Sequence, residues 1–334
     1  MSRKYFPELD GIRAIAVLSV ISFHASSSVP GESILATALG VGWAGVDLFF
    51  VLSGFLITGI LLDTKTSPRA LGNFYARRVL RIFPLYYASL LVIYHLMPAL
   101  HRLKNAPEEW WYWLYVSNWS PSTGTAHAWL THFWSLAIEE QFYLMWPFVV
   151  LALSWRRAFR ASMLLAASGL VARSAGSLIL DPLVIYRNTL FRVDSLAIGA
   201  VAAFIARDPA MLELVGRRRR LLVATAGICL AACLAASGGQ AYTKPMYTIG
   251  FTLWGILFGN LVLWATTAHR TQAHAILRSA LLGRIGKHSY AMYVVHVPVV
   301  AVVIRTLRPA ASSAGVVQTV AASVGLSFLV ALVT

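Results

Sequence analysis

The sequence predicts an all-α, polytopic integral membrane protein with about ten transmembrane helices. Three observations carry that prediction. Of 334 residues, 58% are hydrophobic and only 12% charged, and mean hydropathy is +0.68. A soluble domain would be about 25% charged. Apolar stretches recur at the length a helix needs to cross a ~30 Å hydrocarbon core. Lys and Arg gather in alternate loops, the mark of cytoplasmic segments.

Spans are expected near 12–28, 39–62, 80–99, 133–153, 161–180, 188–206, 221–237, 246–267, 286–304 and 314–334. With the N-terminus in the cytoplasm, nineteen Lys and Arg fall in inside segments and six in outside ones. Both termini are therefore expected in the cytoplasm of a multi-pass cell-membrane protein. The net charge of +15 then reads as topology and lipid-headgroup contact. No aromatic-basic RNA motif accompanies it, so nucleic acid is not an expected partner. No cleaved signal peptide and no internal repeat is read. Residues 1–334 are expected to form one domain.

The first span, LDGIRAIAVLSVISFH, carries Arg13 and His24. Eleven residues are about three helical turns, so the two share a face roughly 16 Å apart. Ionisable groups in hydrocarbon are costly and mark function. The second span, GVDLFFVLSGFLIT, carries Asp47, either a pocket residue, a helix-dipole partner or a mate for Arg192. Ser53 there lacks the context of a hydrolase nucleophile. The third opens with FYARRVLRIFPLYY, where Arg78 and Arg81, three apart, share a face suited to phosphate. Simple positive flanking is the plainer reading.

The long outer segment 100–132 contains EEWWYWLYVSNW, an interfacial aromatic belt or a ring-stacking platform at a site mouth. His127 and His132 flank it without metal-ligand spacing. The fourth span, FWSLAIEEQFYLMWP, carries Glu139 and Glu140, about 100° apart on a helix. In FRVDSLAIGA, Arg192 and Asp194 are expected to form a structural ion pair. Arg217 to Arg220 flank the seventh span, in which Cys229 and Cys233 read as packing residues. Two ligands make no zinc site, and no metal is expected. His296 lies in SYAMYVVHVP, near mid-membrane. Histidines and carboxylates are thus expected at overlapping depths, the unit of general-base catalysis on a hydroxyl. A phosphate-bearing donor with a thin arm, such as coenzyme A, fits this layout; a lipid phosphate fits too.

Five segments, LDGIRAIAVLSVISFH, GVDLFFVLSGFLIT, FYARRVLRIFPLYY, FWSLAIEEQFYLMWP and GKHSYAMYVVHVP, with RVDSLAIGA, resemble the membrane acyltransferase-3 family over about residues 5–300. The resemblance implies an O-acyltransferase of surface glycans and related hydroxyl compounds, with a ten-helix domain. It implies acyl-CoA, often acetyl-CoA, as co-substrate, with no permanently bound cofactor. It implies His24 as the catalytic histidine, Arg13, Arg78 and Arg81 at the donor site, and a functional glutamate, Glu139 before Glu140. Many relatives carry a further extracytoplasmic hydrolase-like domain, which this sequence does not show. It is expected to be a stand-alone form or the membrane part of a longer protein.

The expected mechanism has acyl-CoA entering from the cytoplasm onto Arg78, Arg81 and Arg13. His24, oriented by Glu139, removes a proton from an extracytoplasmic hydroxyl or carries the acyl group itself. Polysaccharide, glycolipid, peptidoglycan and macrolide-like acceptors all remain open. Asp47, Glu140, His296 and Asp194 are the further candidates for the acceptor pocket. The alternative is a glycan, lipid or drug transporter or flippase without acyl transfer. A polyprenyl-phosphate glycosyltransferase ranks last, because the one long outer loop has just Glu108 and Glu109 as acids.

Overall fold

The computed structural model describes residues 5–29, 34–96, 109–120, 129–267 and 271–334. The expectations placed on Glu108 and His127 lie outside the described residues. Every regular element among them is helical: α1 (Pro7–Ser27), α2 (Ile34–Leu39), α3 (Gly45–Thr64), α4 (Ala70–Leu91), α5 (Trp110–Trp113), α6 (Phe133–Ala152), α7 (Trp155–Gly176), α8 (Pro182–Arg187), α9 (Thr189–Ile205), α10 (Pro209–Ser237), α11 (Phe251–Thr267), α12 (Gln272–Leu277), α13 (Ala280–Leu307) and α14 (Ser313–Val333). Short 3-10 or π turns join α2 to α3, extend α4 and lead into α11.

The chain is a polytopic, all-helical membrane protein. Among the described residues, eight helical stretches are long and apolar enough to cross a membrane: Pro7–Ser27, Ile34–Thr64, Ala70–Leu96, Pro182–Ile205, Pro209–Ser237, Met246–Thr267, Ala280–Leu307 and Ser313–Val333. The fourth and fifth expected spans correspond to α6 and α7. These are long enough, at 20 and 22 residues, but α6 carries the paired glutamates and α7 four arginines. Several helices outrun their apolar cores. The helix holding Cys229 begins at Pro209, with Asp208 accepting from the N–H groups of Ala210 and Met211 as its N-cap.

Tight helix crossings set the bundle. α3 packs most extensively on α9, and α1 on α13. Small residues make this possible. A Cβ on Gly54 would stand 1.8 Å from the Leu196 carbonyl oxygen, and one on Gly199 would stand 2.1 Å from that of Val51. In the same way Gly286 of α13 lies against the Asp10 carbonyl of α1. Close backbone approach through small residues is how membrane helices associate when lipid competes for every apolar contact.

Two buried ion pairs lock α9 between its neighbours. Arg192 Nη2 donates to both oxygens of Asp47, at 3.0 Å each, and Ser195 Oγ donates to Asp47 Oδ1 at 2.9 Å. Arg173 of α7 donates to Asp194 at 2.8 and 2.6 Å, and Thr252 of α11 donates to Asp194 at 2.8 Å. The expected Arg192–Asp194 pair is therefore replaced by two pairs that cross between helices. Both carboxylates are fully buried, and neither lines the cavities described below. Asp47 and Asp194 are thus each engaged in an ion pair between helices, Asp47 as the mate of Arg192 and Asp194 as that of Arg173.

The aromatic segment folds back onto α4 and α6. Tyr86 OH donates to the Tyr112 carbonyl at 2.7 Å, Tyr115 stacks on Tyr86 at 4.0 Å, and Gln141 donates to the Tyr115 carbonyl and to Asn118. Trp110 and Trp119 stay exposed. No residue of 109–120 lines either of the two cavities described below.

Candidate active site

Two cavities lie along one face of α1. Arg13 opens into the first and His24 into the second. The unbroken helix between them preserves the three-turn spacing read from the sequence.

The first cavity has about 690 Å³ of empty space, its open mouth included. Arg13 reaches it from α1, Arg78 and Arg81 from α4, Glu139, Glu140 and Tyr143 from α6, and Ser53 from α3. Arg13 Nη1 donates to Asp10 Oδ1 one turn earlier, at 3.0 Å, and Asp10 also accepts from Tyr5 OH. Arg78 lies 5.2 Å from the Tyr143 ring centroid, a cation–π contact that holds its charge at the cavity wall. Tyr143 OH donates to Ser53 Oγ at 2.8 Å, and Ser53 Oγ donates to Glu139 Oε1 at 2.7 Å. This polar chain was not read from the sequence, because it joins α3 to α6 across long sequence separations. Arg77 faces away, toward a small separate recess with Asn73 and Thr64.

The second cavity is walled by aromatic rings. Trp43, Trp134, Tyr186 and Tyr242 line it, with His24, His132 and Arg187. The His24 and His296 ring centroids are 5.1 Å apart, and those of His296 and His132 are 4.6 Å apart. His296 Nδ1 lies 2.6 Å from the Tyr293 carbonyl, which as a pure acceptor assigns the proton to Nδ1. Among the described residues its Nε2 is buried without a partner. His132 is held in the same manner, with Nε2 3.1 Å from the Val294 carbonyl and Nδ1 unpartnered. Both buried histidines thus present a bare nitrogen. Among the described residues no group of His, Cys, Asp or Glu is arranged to hold a metal ion.

The two cavities share Val46 and Tyr293 as a common wall. Tyr293 is pinned there, its OH 2.5 Å from Ser135 Oγ. The structure therefore sorts the candidates into two layers. Arg13, Arg78, Arg81, Glu139 and Glu140 come together in one. His24 comes together with His296, and His296 with His132, whose spacing in the sequence marks no site. Among the described residues no hydrogen bond joins Glu139 to His24; Glu139 is held by Ser53 instead. Ser53, itself held by Tyr143, thus engages Glu139 in the arginine layer.

A helical membrane bundle with a polybasic cavity beside a histidine cavity defines the class of protein. Within that class, the chain belongs to the acyltransferase-3 family: the family model, described as an acyltransferase domain, matches residues 6–334. It is 32% identical over 323 residues to the peptidoglycan O-acetyltransferase OatA of Listeria monocytogenes, covering 90% of this chain and 50% of that protein. It is likewise 32% identical to the O-acetyltransferase OatA of Staphylococcus aureus, covering 90% of this chain and 51% of that one. The chain spans about half the length of these curated relatives. No solved structure matches it.

Proposed function

We propose that residues 6–334 act as one membrane-embedded O-acetyltransferase unit that takes an acetyl group from acetyl-CoA and delivers it toward a carbohydrate hydroxyl. The observation that carries this reading is the pair of adjoining cavities, one lined by Arg13, Arg78 and Arg81 and the other by His24. The relatives named for peptidoglycan acetylation support peptidoglycan as the acceptor. The net excess of guanidinium over carboxylate in the first cavity suits the phosphates of coenzyme A.

In this reading the arginine layer holds the donor at the cytoplasmic side. The thioester end extends past Tyr293 toward His24. His24 takes the proton of the acceptor hydroxyl as its oxygen attacks the thioester carbonyl, and the thiolate leaves with CoA. His296 replaces the carboxylate expected beside His24. Its Nδ1–H is committed to the Tyr293 carbonyl, so its free Nε2 is available to accept from a His24 N–H and fix that ring's tautomer. Glu139 and Ser53 act at the donor end.

The test is incubation of the purified chain in nanodiscs with radiolabelled acetyl-CoA and peptidoglycan fragments. Labelled fragment and free CoA are expected, and both should be lost in His24→Ala at equal protein level. A transporter would release no CoA. Full activity of His24→Ala would remove the mechanism.

A further inference from the structure

The His24 cavity contains a cation that acyl transfer itself does not need. Arg187, the last residue of α8, lines it beside Tyr186. Three arginines gather where α7, α8 and α9 meet. Arg173 has Asp194, and Arg192 has Asp47. Asp181, the acid on the helix that carries Arg187, is occupied as an N-cap, accepting from the Leu183 N–H at 2.7 Å. Arg187 has no carboxylate partner among the described residues, and its Nε is buried with no hydrogen bond. The phenol of Tyr242, in the loop across the cavity, is raised in pKa by burial, and the nearby charges of Arg187 and Arg192 oppose that rise. Arg187 therefore stands as an unneutralised, half-buried guanidinium within reach of whatever occupies the cavity.

The walls around it favour a sugar. Trp43, Trp134, Tyr186 and Tyr242 line the cavity with aromatic rings that carry polar edges. A guanidinium among such walls acts through a medium less screening than water. Its planar fork matches the two oxygens of an oxyanion.

We propose that Arg187 binds an oxyanion on the acceptor, a sugar carboxylate or a phosphate ester, so that this cavity selects acidic sugars. The inference rests on the reading that the acceptor hydroxyl meets His24 here. An unpaired guanidinium in an aromatic cavity discriminates against neutral ligands, because they leave its charge desolvated without a counter-ion.

The test uses the full chain in nanodiscs with acetyl-CoA and four acceptors on one oligosaccharide backbone: carboxylate-bearing, carboxyl-reduced, phosphorylated and amino-substituted. The wild type is expected to favour an acidic acceptor over the reduced one by about tenfold or more in kcat/KM. Whichever acidic acceptor is better names the oxyanion. Arg187→Gln should collapse that ratio toward one, and Arg187→Lys should keep part of it. Arg187→Glu should turn the preference toward the amino sugar, a gain that misfolding cannot produce. Equal use of acidic and reduced acceptors by the wild type overturns the proposal. So does Arg187→Gln lowering all acceptors by one common factor. A wild type that acetylates none of the four and releases no CoA overturns the acyl-transfer reading, and this inference with it.

Discussion

Arg192 is bonded to Asp47 on a neighbouring helix and not to Asp194, two positions along its own. Residues two apart on a helix point about 200° from each other, so Asp194 faces α7 and meets Arg173 there. The helix is pinned from both sides by charge pairs that no water reaches. Removing one member of such a pair strands the other and costs about 3–5 kcal/mol, whereas replacing both with apolar residues is near neutral. Arg192→Met is expected to lower the melting temperature of the detergent-purified protein markedly. The double variant Asp47→Leu, Arg192→Met should recover most of that loss. A double variant as unstable as the single one would show that the stranded charge is not the cause.

The crossing of α3 over α9 leaves no room for a methyl group at Gly54 or Gly199. Neither contact is with a flexible side chain; each is with a carbonyl oxygen of the facing helix, so the helices themselves must separate. Gly54→Ala and Gly199→Ala are expected to lose several kcal/mol, by analogy with the overpacking cost of about 1–3 kcal/mol where side chains can yield. Gly216 and Gly227 face open space, and alanine there should be neutral or slightly stabilising. Yield and melting temperature of the four variants in detergent check this.

The helical class and the order of the long helices were legible because hydropathy and length report directly on a bilayer. The arginine layer was legible too, since Arg13, Arg78 and Arg81 sit in recognisable local patterns. Partner choice was not. Arg192 and Asp194 look paired in the sequence, but helical geometry sends them to opposite sides. Glu139 looked like the orienter of His24, but depth along a helix says nothing about which neighbour occupies the carboxylate. His132 has no metal-ligand spacing in the sequence, and no local pattern marks it. Its position one residue before α6, beneath α13, comes from tertiary packing alone.

Glu139, Ser53 and Tyr143 form one hydrogen-bonded chain, so their contributions should not add. Glu139→Gln and Ser53→Ala are each expected to raise KM for acetyl-CoA while leaving KM for the acceptor unchanged. The double variant should depart from additivity by about 0.5–3 kcal/mol, as for residues in one network. If Glu139 instead oriented His24, Glu139→Gln would abolish turnover as His24→Ala does. Initial-rate kinetics with each substrate varied in turn separates the two.

Tyr293 stands in the wall between the arginine cavity and the His24 cavity, held by Ser135. Its carbonyl also holds His296, so ring and backbone serve different ends. Replacing the ring should leave His296 in place, because the carbonyl remains. Tyr293→Ala is then expected to merge the two cavities and admit water to the thioester. CoA release in the absence of acceptor should rise several-fold, and the fraction of acetyl groups reaching the acceptor should fall. Tyr293→Phe, which keeps the bulk and loses only the hydroxyl, should stay close to the wild type in that leak. Thiol release measured with and without acceptor reads both quantities. An unchanged leak in Tyr293→Ala, in protein that still melts cooperatively, would mean that the ring does not separate the cavities.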